Sequence, residues 1–259
     1  MYEDYVFYMK TIQSVSFKHT VESLKDIIMD VCFTVTKDGM TTCTLDYSKT
    51  AIVNVTFFSN MCEEYHCSKD QFKIGLSMHS LFQLIRGLSP SDVLTLSVLK
   101  GSDEKIHVSY SSAEKCTEVK ATLQTLDLAD VELNVPVLPV ENEISIPSAE
   151  FQKSMRDLSC VSDTLLIKTG CRRMTLCSKG DFAETTIEYK ERLNGFSIVK
   201  TTDDVIQGQF SMKYICLFSK AAHGSPTLKI TTARDFPLYL EYGIGTVGRM
   251  SFLLSPKTE

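Results

Sequence analysis

Leu76-Ser77-Met78-His79-Ser80-Leu81-Phe82-Gln83-Leu84-Ile85-Arg86 and Phe210-Ser211-Met212-Lys213-Tyr214-Ile215-Cys216-Leu217-Phe218-Ser219-Lys220 lie 134 residues apart and read alike. In each, apolar residues at helical spacing lay one stripe along the element, a serine precedes the first turn and a cation closes the last. Further out, Leu24-Lys25-Asp26-Ile27 matches Met155-Arg156-Asp157-Leu158 at an offset of 131. Four-residue matches between amphipathic helices also arise by chance. Two similar offsets nevertheless point to a duplicated unit of roughly 130 residues, and a repeat of that size decides the architecture.

Four stretches carry the helical period: Val21 to Val31, Met78 to Ile85, Phe151 to Leu158 and Tyr214 to Phe218. Ser77, Ser148 and Ser211 are the expected caps of the last three. Most other segments are short and rich in Val, Ile, Thr and Phe, among them Cys32–Val35, Ala51–Phe57, Val93–Leu99, Lys105–Tyr110 and Thr164–Lys168. Turn clusters such as Lys37-Asp38-Gly39, Lys100-Gly101-Ser102-Asp103 and Ser178-Lys179-Gly180-Asp181 bound them. Strands that short and regular pair as antiparallel sheets, so the expected fold class is α+β.

The chain has 259 residues, 43% hydrophobic and 23% charged, which is globular composition and excludes wholesale disorder. Twenty-seven basic against 32 acidic residues give a net charge of -5, which argues against gripping nucleic acid by bulk positive charge. Nine cysteines are scattered with no C-x-x-C, Met1-Tyr2-Glu3-Asp4-Tyr5 is acidic, and no apolar run approaches the ~18 residues that span a bilayer. The expectation is a soluble protein, not associated with membranes, in a reducing compartment, with mostly buried free thiols. Between the halves, Gln124 to Glu143 holds two prolines, five acids and no base, yet also seven leucines and valines within Leu126–Pro139. Such a segment reads as an extended linker that lies along a surface.

Sites of ordinary chemistry are weakly signalled. Gly243-Ile244-Gly245-Thr246-Val247-Gly248 is a literal G-x-G-x-x-G, but strand-like residues both precede and follow it, so it reads as a hairpin loop rather than a dinucleotide site. Cys62, His66 and Cys67 supply three zinc-type donors and no second pair near them, short of a closed tetrahedral site. The five histidines are dispersed, and no motif marks a cysteine nucleophile. No metal, cofactor or catalytic residue is therefore expected.

The informative pattern is cationic. Lys18 and Lys25, His79 and Arg86, and Lys213 and Lys220 are each seven residues apart, and Lys153 and Arg156 three, spacings that return to one helix face. Glu22, Asp26, Asp30, Glu150 and Asp157 intrude, and one such helix alone would be a solvated face. Four of them in a chain of net negative charge point to a shared cationic surface. Lysines and arginines spread along helices contact phosphates without reading bases, and no aromatic ladder accompanies them. The ligand implied is a duplex backbone, touched irrespective of sequence.

Several segments then resemble the eukaryotic-type DNA sliding clamps, the proliferating cell nuclear antigen family. They are Val21-Glu22-Ser23-Leu24-Lys25-Asp26-Ile27-Ile28, Leu45-Asp46-Tyr47-Ser48-Lys49, Tyr65-His66-Cys67, Pro147-Ser148-Ala149-Glu150-Phe151 with Arg156-Asp157-Leu158-Ser159, Phe236-Pro237-Leu238 with Glu241-Tyr242, and Leu254-Ser255-Pro256-Lys257. Their order and spacing cover nearly the whole chain. The resemblance implies two similar clamp domains, residues 1–123 and 143–259, joined by an interdomain connecting loop at 124–142, with sheets outside and helices lining the hole of a head-to-tail homotrimer. It implies a non-enzymatic processivity factor for DNA polymerase and a platform for clamp loader, nuclease, ligase and repair clients, acting in the nucleus or at a viral replication site. A subunit of a heterotrimeric checkpoint-type clamp would share this fold.

Carried over by position, the resemblance makes Lys18, His19, Lys25, Arg86, Lys153, Arg156, Lys213 and Lys220 the DNA-facing cations. It assigns a partner-peptide pocket to Leu45, Lys49, Thr50 and Ile52, to Leu133, Val135 and Pro136 of the connecting loop, and to Pro237, Leu253, Ser255 and Pro256. Subunit edges are implied at Lys115–Leu123 and Thr185–Glu191, with Val119, Ala121, Ile187 and Tyr189 alternating along them. Gln83 stands where the family often has lysine, Lys49 where histidine is common, Leu253 where tyrosine is common, and Cys171 where many relatives carry a modifiable lysine. These departures mark a divergent member.

Overall fold

The computed structural model describes residues 2–112, 116–128, 133, 139–191 and 195–257. The chain divides into two compact units, one of Met1–Thr44, Asn54–Leu133 and Ile244–Met250, the other of Leu45–Val53, Asn134–Gly243 and Ser251–Glu259.

In the order of the first half, the strands are β1 (Tyr5–Thr11), β2 (Asp30–Val35), β3 (Gly39–Leu45), β4 (Ala51–Phe58), β5 (Glu64–Cys67), β6 (Phe72–Ser77), β7 (Asp92–Leu99), β8 (Lys105–Ser112) and β9 (Thr117–Gln124), with helices α1 (Ser14–Leu24) and α2 (Met78–Ile85). The second half gives β10 (Asn142–Pro147), β11 (Thr164–Gly170), β12 (Arg173–Lys179), β13 (Glu184–Lys190), β14 (Ser197–Lys200), β15 (Ile206–Ser211), β16 (Thr227–Thr232), β17 (Leu238–Ile244) and β18 (Gly248–Leu254), with α3 (Ser148–Ser159) and α4 (Met212–Ser219). The path of the first half, β5-β1-β7-β8-β9 and β6-β2-β3-β4, is repeated in the second as β14-β10-β16-β17-β18 and β15-β11-β12-β13. Every described strand register is antiparallel, for example Met9 opposite Leu96 and Ile144 opposite Ile230. The halves are thus one topology used twice, strand for strand.

The repeat has one offset, not two. Buried Ser14, Phe17, Thr20, Val21 and Leu24 of α1 correspond to buried Ser148, Phe151, Ser154, Met155 and Leu158 of α3, all 134 residues on. This matches the spacing of α2 and α4 and corrects the 131 read from Leu24-Lys25-Asp26-Ile27, which set the end of α1 against the middle of α3. The true equivalences are His19 with Lys153, His79 with Lys213 and Arg86 with Lys220.

α1 also differs from its expected span. It begins at Ser14 and is capped by Lys25, after which the N–H groups of Ile27 and Ile28 both return to the Leu24 carbonyl. Ile28 stays in the core from outside the helix, and Val31 is buried as a strand residue of β2. An apolar stripe continued past the helix end because core strand and core helix residues fell in phase by position. Of the expected caps, Ser77 accepts from the Ser80 N–H at 3.4 Å. Ser211 sits at the cap position without a side-chain bond, and Ser148 is the first helical residue after Pro147, its hydroxyl buried and without a protein partner.

The glycine-rich segment is the hairpin loop between β17 and β18, closed by the Val247 N–H on the Ile244 carbonyl at 3.0 Å. A Cβ on Gly248 would lie 2.2 Å from the Thr56 carbonyl oxygen, so glycine here admits neighbouring backbone, not a phosphate. At the start of the linker, the Leu126 N–H donates to the Gly75 carbonyl at 2.9 Å, which lays this segment along β6.

The thiols are less buried than composition suggested. Cys67 is buried, Cys32, Cys43, Cys62, Cys177 and Cys216 are half-buried, and Cys116, Cys160 and Cys171 are exposed. Several occupy alternating strand positions whose side chains face outward, a placement that residue type alone does not encode. Among the described residues no helix is long and apolar enough to cross a membrane.

Candidate functional site

Each unit packs two helices by their apolar faces and turns the other faces outward. In the second unit, Phe151, Met155 and Leu158 of α3 and Met212, Ile215 and Phe218 of α4 are buried, while Lys153, Arg156, Lys213 and Lys220 are exposed. The Gln152 amide donates to the Ser219 carbonyl at 3.1 Å and holds the two helices together.

In the first unit the cations are more engaged. The Lys18 ammonium donates to the Leu88 carbonyl at 2.6 Å. Lys25 pairs with Asp26 at 2.8 Å and lies 5.1 Å from the Phe82 ring centre. His19 faces Glu22 at 3.4 Å, and Gln83 faces His79 at 3.4 Å. Arg86 is exposed at the end of α2. Counting the helices with their caps and Asp26, seven formal positive charges (18, 25, 86, 153, 156, 213, 220) meet four negative (22, 26, 150, 157), net +3. With -5 on the chain, the remainder carries -8. The sign of the helix faces therefore opposes that of the rest of the protein.

A second constellation lies wholly in the second unit. Asp46, 5% exposed, closes the turn between β3 and β4. One carboxylate oxygen accepts the Thr50 and Ala51 N–H groups, both at 2.7 Å. The other accepts the Ser48 N–H at 3.1 Å, the Ser48 hydroxyl, and the hydroxyl of Tyr214 from α4. Burial acts to raise the Asp46 pKa, but the hydrogen bonds from Ser48, Tyr214 and Ala51 together outweigh it and hold the carboxyl below its ordinary value. Burial, followed by the bond to Asp46, pushes the Tyr214 phenol upward.

This turn presents Lys49 at φ 56°, exposed, with Thr50 and Ile52 half-buried behind it. The Ser255 N–H donates to the Thr50 carbonyl at 3.2 Å, and the Lys257 N–H to the Gln209 carbonyl at 2.8 Å, so the chain's last described residues run from the turn to β15. Ser255 and Pro256 are exposed, Leu45 and Pro237 half-buried, and Leu253 buried at 3% exposure. Pro237 and Pro256 also line a cleft of about 280 Å³ with Phe236, Leu166, Gln209 and Phe210. Leu133 belongs to the first unit, and Val135 and Pro136 lie outside the described residues.

The expected edges are open strand ends of sheets. β9 ends one sheet and β13 another. Val119 is 40% exposed, and Ala121 and Ile187 are half-buried. Tyr189 instead turns inward: its ring stacks on Phe196 at 5.8 Å and its hydroxyl bonds that of Ser154. Lys115 lies outside the described residues. Sequence reasoning passed over Asp46 and Tyr214 as functional residues. Asp46-x-Ser48-x-Thr50 is a turn signature in which an aspartate meets donors two to five residues on. The contribution of Tyr214, from 168 residues away, left no local signal.

A duplicated α+β unit with two outward-charged helices per copy is the fold of the DNA sliding clamps. The profile of the proliferating cell nuclear antigen N-terminal domain matches residues 6–133, and that of the C-terminal domain residues 135–257. The chain belongs to the proliferating cell nuclear antigen family. It is 26% identical over 258 residues to the probable DNA polymerase sliding clamp 1 of Paramecium bursaria Chlorella virus 1, with 98% of each chain covered. Its fold superimposes on the crystal structure of proliferating cellular nuclear antigen from Entamoeba histolytica with a TM-score of 0.89 and 24% identity, covering 98% of this chain and 100% of that one.

Proposed function

We propose that this protein is a non-enzymatic DNA sliding clamp: three copies join head to tail into a ring around duplex DNA, tether a DNA polymerase to its template and dock replication and repair clients. Residues 1–123 and 143–259 act as the two clamp domains, with 124–142 as the connecting loop. The observation that carries the reading is the opposition of charge, net +3 on the four helix faces against -8 elsewhere. DNA is attracted to one surface and repelled from the others. Lys18, His19, Lys25, Arg86, Lys153, Arg156, Lys213 and Lys220 make the phosphate contacts. These are weak and sequence-independent, and topological linkage, not affinity, keeps the ring on the duplex.

Assembly uses the open edges. An unpaired strand is a template for another chain, and β9 of one copy against β13 of the next satisfies both edges. Val119, Ala121 and Ile187 provide the apolar contacts, and Tyr189 supports β13 from beneath. Client peptides insert aliphatic and aromatic anchors beside Leu45, Lys49, Thr50 and Ile52, flanked by Leu133, Val135 and Pro136 and by Pro237, Leu253, Ser255 and Pro256. The site of action is the nucleus, or the viral replication site for a viral member.

The test is polymerase processivity on a primed circular template with a clamp loader. Reversing Lys25, Arg86, Arg156 and Lys220 to Glu is expected to shorten products while the sedimentation mass stays at three 29.1 kDa chains, about 87 kDa. Unchanged product length would refute the DNA-facing assignment. A wild-type chain that sediments as a monomer would favour a heterotrimeric checkpoint-type clamp.

A further inference from the structure

The five donors around Asp46 have two origins. Four belong to the turn itself: the N–H groups of Ser48, Thr50 and Ala51 and the Ser48 hydroxyl. Those alone close an Asx-type turn. The fifth, the Tyr214 hydroxyl, is supplied by α4 and ties the turn to a helix. Tyr214 is itself held, its ring 5.9 Å from Phe218, which stacks on Phe252 of β18 at 4.4 Å. On its other side the turn is bonded through Thr50 to Ser255. The loop that displays Lys49 is therefore gripped between α4 and the segment after β18, all within the second unit.

We propose that Tyr214 is a positioning residue: by donating to Asp46 it locks the turn 46–50 to α4 and sets the pose of Lys49 and Thr50 for an incoming client peptide. The inference rests on the client-pocket reading above for its second half only. The bond itself is a statement about the free protein. An ionised carboxylate makes it one of the stronger hydrogen-bond types, and a half-buried position shields it from competing water.

Tyr214→Phe keeps the ring against Phe218 and removes only the hydroxyl. Hydrogen–deuterium exchange of the full-length protein is expected to show amides 47–51 exchanging about tenfold faster in the variant, as suits the loss of one bond to a charged group. Amides of β11 and β16 should be unaffected, which separates a loosened turn from general destabilisation. Turn exchange within twofold of wild type would overturn the tie. In a second arm, fluorescence anisotropy measures a synthetic peptide helix bearing one aliphatic and two aromatic anchors. The expected result is a several-fold rise in Kd for Tyr214→Phe, with Lys49→Ala adding less in that background than in wild type. A faster-exchanging turn with unchanged Kd would overturn the positioning role. No binding to wild type would remove the pocket reading and the client half of the proposal with it, while exchange still judges the tie.

Discussion

Replacing Asp46 by Asn tests how much of the second unit hangs on one side chain. Asn is nearly isosteric, but it offers one acceptor oxygen where the carboxylate serves five donors. With its oxygen toward Thr50 and Ala51, its NH2 faces the Ser48 N–H and two hydroxyls. Ser48 and Tyr214 hydroxyls already touch and can turn to each other, so the Ser48 N–H is the donor left stranded. Losing one hydrogen bond to a charged group and stranding a part-buried N–H costs about 2–3 kcal/mol. For a chain of this size that is a fall in Tm of roughly 5–10 °C. The assay is urea and thermal denaturation at matched protein concentration, because assembly would otherwise move the midpoint. The pH dependence has a definite sign. The Asp46 pKa is lowered in the fold, so its stabilisation is present above the ordinary carboxylate range and is lost as pH falls through the folded value. The gap between wild type and Asp46→Asn should therefore narrow on acidification below about pH 4. A loss under about 0.5 kcal/mol, within the range of an ordinary surface substitution, would refute the account, as would a gap that stays constant through acidification.

Other outcomes follow from the same structure. Ile187→Lys on β13, or Val119→Lys on β9, should yield 29.1 kDa monomers by sedimentation with unchanged circular dichroism, since Val119 is exposed and Ile187 only half-buried on strands that end their sheets. Gly248→Ala should lower the thermal midpoint sharply, because its Cβ would meet the Thr56 carbonyl at 2.2 Å and neither backbone can move alone. Timed alkylation read by mass spectrometry should label exposed Cys160 and Cys171 first and buried Cys67 last. Cys62 should also lag at neutral pH, because burial pushes its thiol up to about 11 and little thiolate forms.

What was legible in the sequence was local. The apolar periods of α2, α3 and α4 and the strands β4, β7 and β8 follow from residues that touch through the core, and they fall where side-chain spacing puts them. The G-x-G-x-x-G segment read correctly as a hairpin because a phosphate loop needs a helix after it, and Gly248–Leu254 runs on as a strand instead. The end of α1 was not legible, since Ile28 and Val31 are core residues on either side of a helix-to-strand change. Tyr189 resembled an outward edge residue until Ser154 and Phe196, distant in sequence, gave its ring and hydroxyl partners inside. The order of strands in each sheet depends on pairings between segments far apart along the chain. Neither composition nor spacing carries those.

The shared offset of 134 also allows the halves to be read against each other, rung by rung. Where the second half carries Lys153 and Lys213, the first carries His19 and His79, and only Arg86 and Lys220 keep a permanent cation in both. The two repeats are thus copies in shape but not in charge: at these two rungs the second offers a lysine ammonium where the first offers an imidazole ring.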